Sequence, residues 1–291
     1  MGIFERWITR TSARYIIVRC NLSNLKRILY FLLHLTLILL LTILTQVGGV
    51  VYLLTLILTR FFKLSRTSSV AVFLGIYLVS TFLIIPLIAP IFERTALPLT
   101  GNLRPLNFGT CLLNRHYVTP QLKNQVVSIS DQLENRYKGT CTNYLVANFP
   151  FVNGFPLFPH LSHNDGKKLD LAFFYKRDSD RSNKAPSFIG YGVFEDPKKG
   201  ESNYPADCEQ RGYWQYGLLS SVVPQWNKKK YQLDVERTTE LIKLLSKDEL
   251  TSKIFIEPHL KQRWRLNRLD NIRFHGCQAV RHDDHIHTQI K

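Results

Sequence analysis

Apolar residues fill two long stretches near the N-terminus. Neither Ile28 to Thr59 nor Ser68 to Phe92 contains an Asp, Glu, Lys or Arg, and a helix needs about 20 apolar residues to cross a bilayer. The second stretch predicts one crossing helix, kinked at Pro86, whose nitrogen has no proton to give. The first is too long for one untilted helix and short for two. Gln46-Val47-Gly48-Gly49, near its middle, suits a tight re-entry. Residues 28–92 thus predict two to three spans. The apolar run is far longer than the core of a secretory leader and follows a long basic segment, so a cleaved signal peptide is not expected.

Beyond residue 92 the pattern becomes that of a globular domain. Residues 93–108, with Pro98, Gly101 and Pro105, read as a linker, and the domain itself as 109–291. Leu122, Val126, Val127, Ile129 and Leu133 recur at helical spacing behind Thr119-Pro120, a start signal for a helix to Arg136. Leu169 to Tyr175 reads as one strand. Lys176 to Gly217, rich in Asp, Ser, Asn, Gly, Pro and Lys, reads as a long loop system at the rim of a site. Val235 to Leu245 predicts a helix, Ser252 to Glu257 a strand and Pro258 to Leu266 a helix. Two last strands follow at Ile272 to Phe274 and Asp284 to Ile290. The class is α+β: a small, mostly antiparallel sheet with flanking helices behind an α-helical transmembrane region, without internal repeats.

Charge adds topology. The chain carries +16, and half of this lies in residues 1–92, where Glu5 is the only acid. Arg6, Arg10, Arg14, Arg19, Lys26 and Arg27 precede the first apolar stretch; Arg60, Lys63 and Arg66 separate the two. The positive-inside tendency puts both groups in the cytoplasm. That requires an even number of crossings before Arg60, hence a hairpin in the first stretch. The expected location is the inner (cytoplasmic) membrane, multi-pass, with the C-terminal domain periplasmic or extracellular. The basic segment 1–27 suits either the anionic inner membrane face or an ordinary cytoplasmic tail. Because topology accounts for half the charge, nucleic acid is not an expected partner; the lipid bilayer is. Cys111, Cys141, Cys208 and Cys277 form an even set in an exported domain, which predicts two disulfides of undetermined pairing.

Two short motifs carry the chemistry. One is His160-Leu-Ser-His163-Asn-Asp-Gly166-Lys-Lys-Leu-Asp170; the other is His282-Asp283-Asp284-His285-Ile286-His287. Together they offer His163, Asp170 and His287 as ligands for one metal ion, two His and one carboxylate with an open fourth position, a set used by catalytic zinc. Asp170 lies inside an apolar strand, where an unpartnered carboxylate is costly. In a strand, His285 and His287 point to the same face, so one can bind metal while the other handles protons, and His282 is near enough to reach the same rim. Asp165 or Asp284 would orient a histidine. Tyr213, Trp214 and Tyr216 are candidates for lining a substrate groove.

These motifs, with Lys253-Ile-Phe-Ile-Glu-Pro-His-Leu-Lys261 and Ile272-Arg-Phe-His-Gly-Cys277, resemble the metallopeptidase group of lysostaphin-type enzymes, D-Ala-D-Ala peptidases and the hedgehog signalling domain. Within it the chain is most similar to the penicillin-insensitive murein endopeptidases, over most of residues 145–291. The resemblance implies one Zn2+ per chain on His163, Asp170 and His287. It implies that His285 assists proton transfer or oxyanion stabilisation beside the metal, and that His160 and His282 line the site. It implies peptide cross-links of peptidoglycan as substrate. Lys167 and Lys168 depart from the family's less basic residues, and the membrane-spanning part is foreign to its soluble members. A second reading keeps the fold and metal without hydrolysis, as a catalytically inactive metal-binding or cell-envelope binding module. His282 and His285 weigh against it, since a purely structural zinc site closes its fourth position.

Overall fold

The alternation His285-Ile286-His287-Thr288-Gln289-Ile290 builds the centre of the molecule. In this strand Ile286 and Ile290 point into the main core while His285 and His287 point to the other face. The computed structural model describes the backbone of residues 3–291 and the side chains of residues 24–291. It divides into two compact units, one ending at Tyr77 and the other Leu78–Lys291.

In the first unit a helix Ile3–Thr45 breaks at Gln46-Val47 and returns as Gly48–Phe61. Gln46 turns the chain with φ of 67°. The second helix packs against the first because Gly48 and Gly49 have no side chain. A Cβ on Gly49 would lie 2.0 Å from Thr42 Oγ1 and 2.6 Å from the Ile38 carbonyl. The re-entry expected at Gln46–Gly49 is therefore a helical hairpin. The basic segment 1–27 lies mostly outside the residues whose side chains are described. Helices Asn24–Thr45 and Arg66–Phe92 are each long and apolar enough to cross a membrane.

The helix Arg66–Val79 continues through a π-helical turn at Ser80–Ile84, immediately ahead of Pro86, a common accommodation for a missing donor. Within the second unit, Thr81, Ile85 and Ala89 recur every fourth residue and are buried, while Leu83, Leu87 and Ile91 stand exposed.

That unit is built on a six-stranded sheet in the order Ile272–Arg273, Thr251–Phe255, His285–Ile290, Lys168–Ala172, Thr142–Tyr144, Leu103–Pro105. The three inner junctions are antiparallel and the two outermost parallel. Helices Pro120–Arg136 and Val235–Lys247 pack together on the face opposite the histidines. Each is capped at its start: the Thr119 side chain, the expected start signal, accepts the Leu122 N–H, and the Asp234 side chain accepts the Arg237 N–H. A three-stranded sheet of Asp180–Ser182, Tyr175–Arg177 and Tyr231–Leu233 lies alongside.

Four expectations need correction. The strand over Leu169 to Tyr175 is two strands in different sheets, because Phe173 and Phe174 both turn into the core and interrupt the ladder. The 93–108 stretch is not a free linker. Thr95–Ala96 pairs with Tyr117–Val118, Leu103–Pro105 forms an edge of the main sheet, and Leu97 and Leu103 are buried. The loop region 176–217 contains the helix Tyr204–Gln210 and the start of Gln215–Val222. Of the four cysteines, only Cys208 and Cys277 are bonded; Cys111 and Cys141 are buried thiols.

Candidate metal centre

Register brings the two motifs together. His287 lies directly opposite Asp170, and His285 opposite Ala172, in the antiparallel pair, so these side chains share the face away from the main core. His287 Nδ1 is 2.8 Å from Asp170 Oδ1. The loop before Asp170 delivers His163, whose Nε2 is 3.2 Å from the same oxygen and 3.1 Å from His287 Nδ1. His163 Nδ1 meets the Ala147 carbonyl at 2.8 Å, which fixes the proton there and leaves Nε2 as a lone pair. His160 approaches from the same loop, its Nδ1 3.3 Å from Asp170 Oδ2.

His160, His163 and Asp170 offer one ligand atom each within 4.8 Å of one another, a group that could hold a metal ion. His287 Nδ1 stands closer to the Asp170 carboxylate than His160 Nδ1 does, 2.8 Å against 3.3 Å. Ligands 2.0–2.1 Å from a tetrahedral zinc stand about 3.3 Å apart, close to the separations of 2.8, 3.1 and 3.2 Å within His163, Asp170 and His287. The donors present fit such an ion. His160, expected to be accessory, is itself at ligand distance.

The electrostatics suit this role. Burial pushes the His160 imidazole down to about 3, and that of His287 to about 4. Burial, with His285 and His287 as neighbours, drives His282 well below its ordinary value. Neutral imidazole is the ligand form. Asp170 is fully buried; burial opposes its charge, but His163 and His285 outweigh it and hold the carboxyl well below the usual range. Tyr191 donates to Asp170 Oδ2 at 2.8 Å.

His285 differs. Its Nδ1 bonds the Asp284 carboxylate, which in turn accepts the Gly192 N–H at 2.6 Å. Its Nε2 lies 3.9 Å from Asp170 Oδ1 and, like His287 Nε2, makes no hydrogen bond among the described residues. Burial lowers its basicity, but the charges on Asp284 and Asp170 prevail and raise it. Asp284 is thus the orienting carboxylate; Asp165 is engaged by Lys168 and the Lys167 N–H. The His282 ring is 4.9 Å from His285 and 5.7 Å from His287.

The loop carrying His160 and His163 is pinned from beneath. Gly166, at φ +73°, leaves no room for a Cβ, which would come within 2.5 Å of Arg94 Nε. Arg94, 2% exposed, bonds Asn153 of the same loop. Sequence reasoning assigned no role to Arg94, Tyr191, Glu257 or His275. His275 stacks on Phe255 at 4.2 Å and faces His287 at 6.0 Å. Glu257 brackets residue 282 from both sides: its N–H donates to the His282 carbonyl, and its Oε1 accepts the His282 N–H. The available signal for Tyr191 was its place between two glycines, both at φ +83°. Trp214, expected at the groove, is 70% exposed, and Tyr216 is buried, donating to the Gly276 carbonyl.

A pocket of about 270 Å3 adjoins the cluster, lined by Val146, Ile189 and Leu219 together with His160, Tyr191 and His285. No protein-family model matches the chain, and no curated protein matches it.

Proposed function

We propose that this chain is a membrane-anchored, zinc-dependent peptidase that hydrolyses amide bonds of cell-envelope peptides, peptidoglycan peptides being the class its motifs suggest. The observation that carries the reading is the mutual approach of His163 Nε2, Asp170 Oδ1 and His287 Nδ1 beside a histidine whose other nitrogen is tied to Asp284. When bound, a zinc ion supplies the Lewis acidity that makes water nucleophilic near neutral pH and polarises a carbonyl.

The residues do the rest. His163, Asp170 and His287 would hold the ion, with Tyr191 fixing the orientation of Asp170 and the Ala147 carbonyl that of His163. Asp284 keeps the His285 proton on Nδ1, so Nε2 is free to take a proton from attacking water. The amide gains a hydroxyl at its carbonyl carbon, the C–N bond breaks, and the amine leaves with the proton that His285 took from the water. Burial keeps bulk water from competing for these hydrogen bonds. Two helices long and apolar enough to cross a bilayer support the anchor, and the flanking positive charges support a multi-pass arrangement with the second unit on the outer face.

Elemental analysis of the full chain in detergent tests this, with His163→Ala as control. One zinc per chain, lost in the control, together with hydrolysis of cross-linked muropeptides, is the expected result. A folded protein that takes up no metal when zinc is offered would overturn the reading.

A further inference from the structure

The pocket beside His160, Tyr191 and His285 has a wall that peptide hydrolysis alone does not require. Val146, Ile189 and Leu219 make its surface apolar, and the cations on it are engaged: Arg281 by Asp283 and Asp196, Arg115 by the Phe158 carbonyl. The pocket also has a direction. Asn107, Gly109 and Thr110 line it. Phe108, between them in sequence and half exposed, stacks on Phe82 at 5.5 Å. Phe82 belongs to the helical run Arg66–Phe92, one of the two stretches fit to cross a membrane. Asn107 also donates to the Phe188 carbonyl at 3.4 Å, and the Phe188 ring is 81% exposed, with Ile189 beside it half exposed. One exposed aromatic residue therefore follows Asn107 in sequence and rests on the apolar helix, and another meets the Asn107 side chain through its backbone carbonyl. Exposed apolar side chains of this kind mark a surface that contacts a membrane or another protein, and Phe side chains beside a helix apolar enough to cross a bilayer suit burial in the interfacial layer.

We infer that the pocket receives the hydrocarbon chain of a lipid-bearing peptide drawn from the bilayer, so that the scissile amide is presented to His285 from the membrane side. This rests on the hydrolase reading above and narrows its substrate class. The reaction is ordinary hydrolysis: water adds across the C–N bond, giving a carboxylate on the acyl side and an amine on the other. The geometry supplies apolar rings at Phe82 and Phe108 beside lining residues Asn107 and Gly109, a half-exposed Ile189 in the lining itself, and a cavity just below the size usual for small-molecule sites, which begin at about 300 Å3.

The test uses the full chain, loaded with zinc, in vesicles of phosphatidylethanolamine and phosphatidylglycerol. The probe is dodecanoyl-alanyl-alanine with a diazirine at the end of its acyl chain, and the readout is the site of photo-crosslinking, mapped by mass spectrometry. Crosslinks are expected at residues lining the pocket, in the zinc-loaded chain and in His163→Ala alike, and should fall at least tenfold in Ile189→Trp and in Leu219→Phe. Ile189 is half exposed, so its variant tests the pocket even if Leu219→Phe fails to fold. In parallel, kcat/KM should rise roughly fourfold per added methylene of the acyl chain until the cavity is full. Crosslinks confined to the transmembrane helices or to a second copy of the chain overturn the inference, as does equal turnover of acylated and soluble peptides. Either result leaves the hydrolase reading standing if zinc is bound and soluble peptides are cut. Absence of zinc overturns that reading instead, while the crosslinks still report on the pocket.

Discussion

Asp170 and His287 face each other across two paired strands, register partners with 2.8 Å between Oδ1 and Nδ1. A one-residue slip would send His287 into the apolar core and bring Ile286 to the site face. Asp170 is steadied in turn by Tyr191. Tyr191→Phe should keep the fold and weaken zinc binding by about 10- to 100-fold, read by competition with a chelator, whereas Asp170→Ala should abolish it. Unchanged affinity in Tyr191→Phe would show that Asp170 needs no such support.

His285 is expected to separate binding from turnover. His285→Ala should retain one zinc per chain and lose about 10²- to 10⁴-fold in kcat, the usual contribution of a general base. Asp284→Asn should lose part of that, because the proton is no longer held on Nδ1. Wild-type kcat in either variant would sink the proton-transfer role.

Glu257 gives the fold a pH dependence. Burial and the Asp283 carboxylate push its carboxyl up to about 7 from 4.5. Between these values the folded chain keeps a proton that the unfolded chain has released, so stability falls as pH rises from 4.5 to 7. The loss is about 3 kcal/mol at 1.36 kcal/mol per unit over the interval from 4.5 to about 7. Asp283, pushed up to about 6 chiefly by burial, acts in the same direction. Glu257→Gln should flatten Tm between pH 5 and pH 8 and raise it at pH 8. A steeper profile in the variant would contradict this assignment.

The bond between Cys208 and Cys277 closes a separation of 69 residues, for which chain entropy predicts a stabilisation of about 4 kcal/mol. It ties the helix Tyr204–Gln210 to the segment carrying His275. Reduction should lower Tm and speed hydrogen exchange over residues 272–282 while His285–Ile290 stays protected. Equal loss of protection in both segments would mean that the disulfide supports the whole sheet.

What the sequence made legible follows from range of interaction. The cap at Thr119 acts on a residue three positions away and could be read directly. So could the alternation that sets His285 and His287 on one face. Asp170 announced itself as a carboxylate in an apolar strand. Tyr191 and Arg94 did not, because their roles depend on partners 21 residues or more distant, Asp170 and the loop of Asn153. The short strands at Thr95–Ala96 and Leu103–Pro105 were hidden by Pro and Gly, and by lengths too small to show periodicity. Cysteine pairing depends on tertiary approach: Cys111 meets Tyr144 rather than another sulfur.

Arg94 joins what the sequence would divide. It follows the apolar helix by two residues, and its guanidinium fills the space beneath Gly166 that no other side chain can share. The residue that follows the apolar helical run is therefore also the support of the loop that presents His160 and His163. Trimming the chain to a water-soluble fragment starting near residue 105 would remove Arg94 and the strand Thr95–Ala96 with it. Such a fragment would lose the side chain that supports the loop presenting His160 and His163, so the residues that end the apolar helical run and the loop of the candidate metal site share one support.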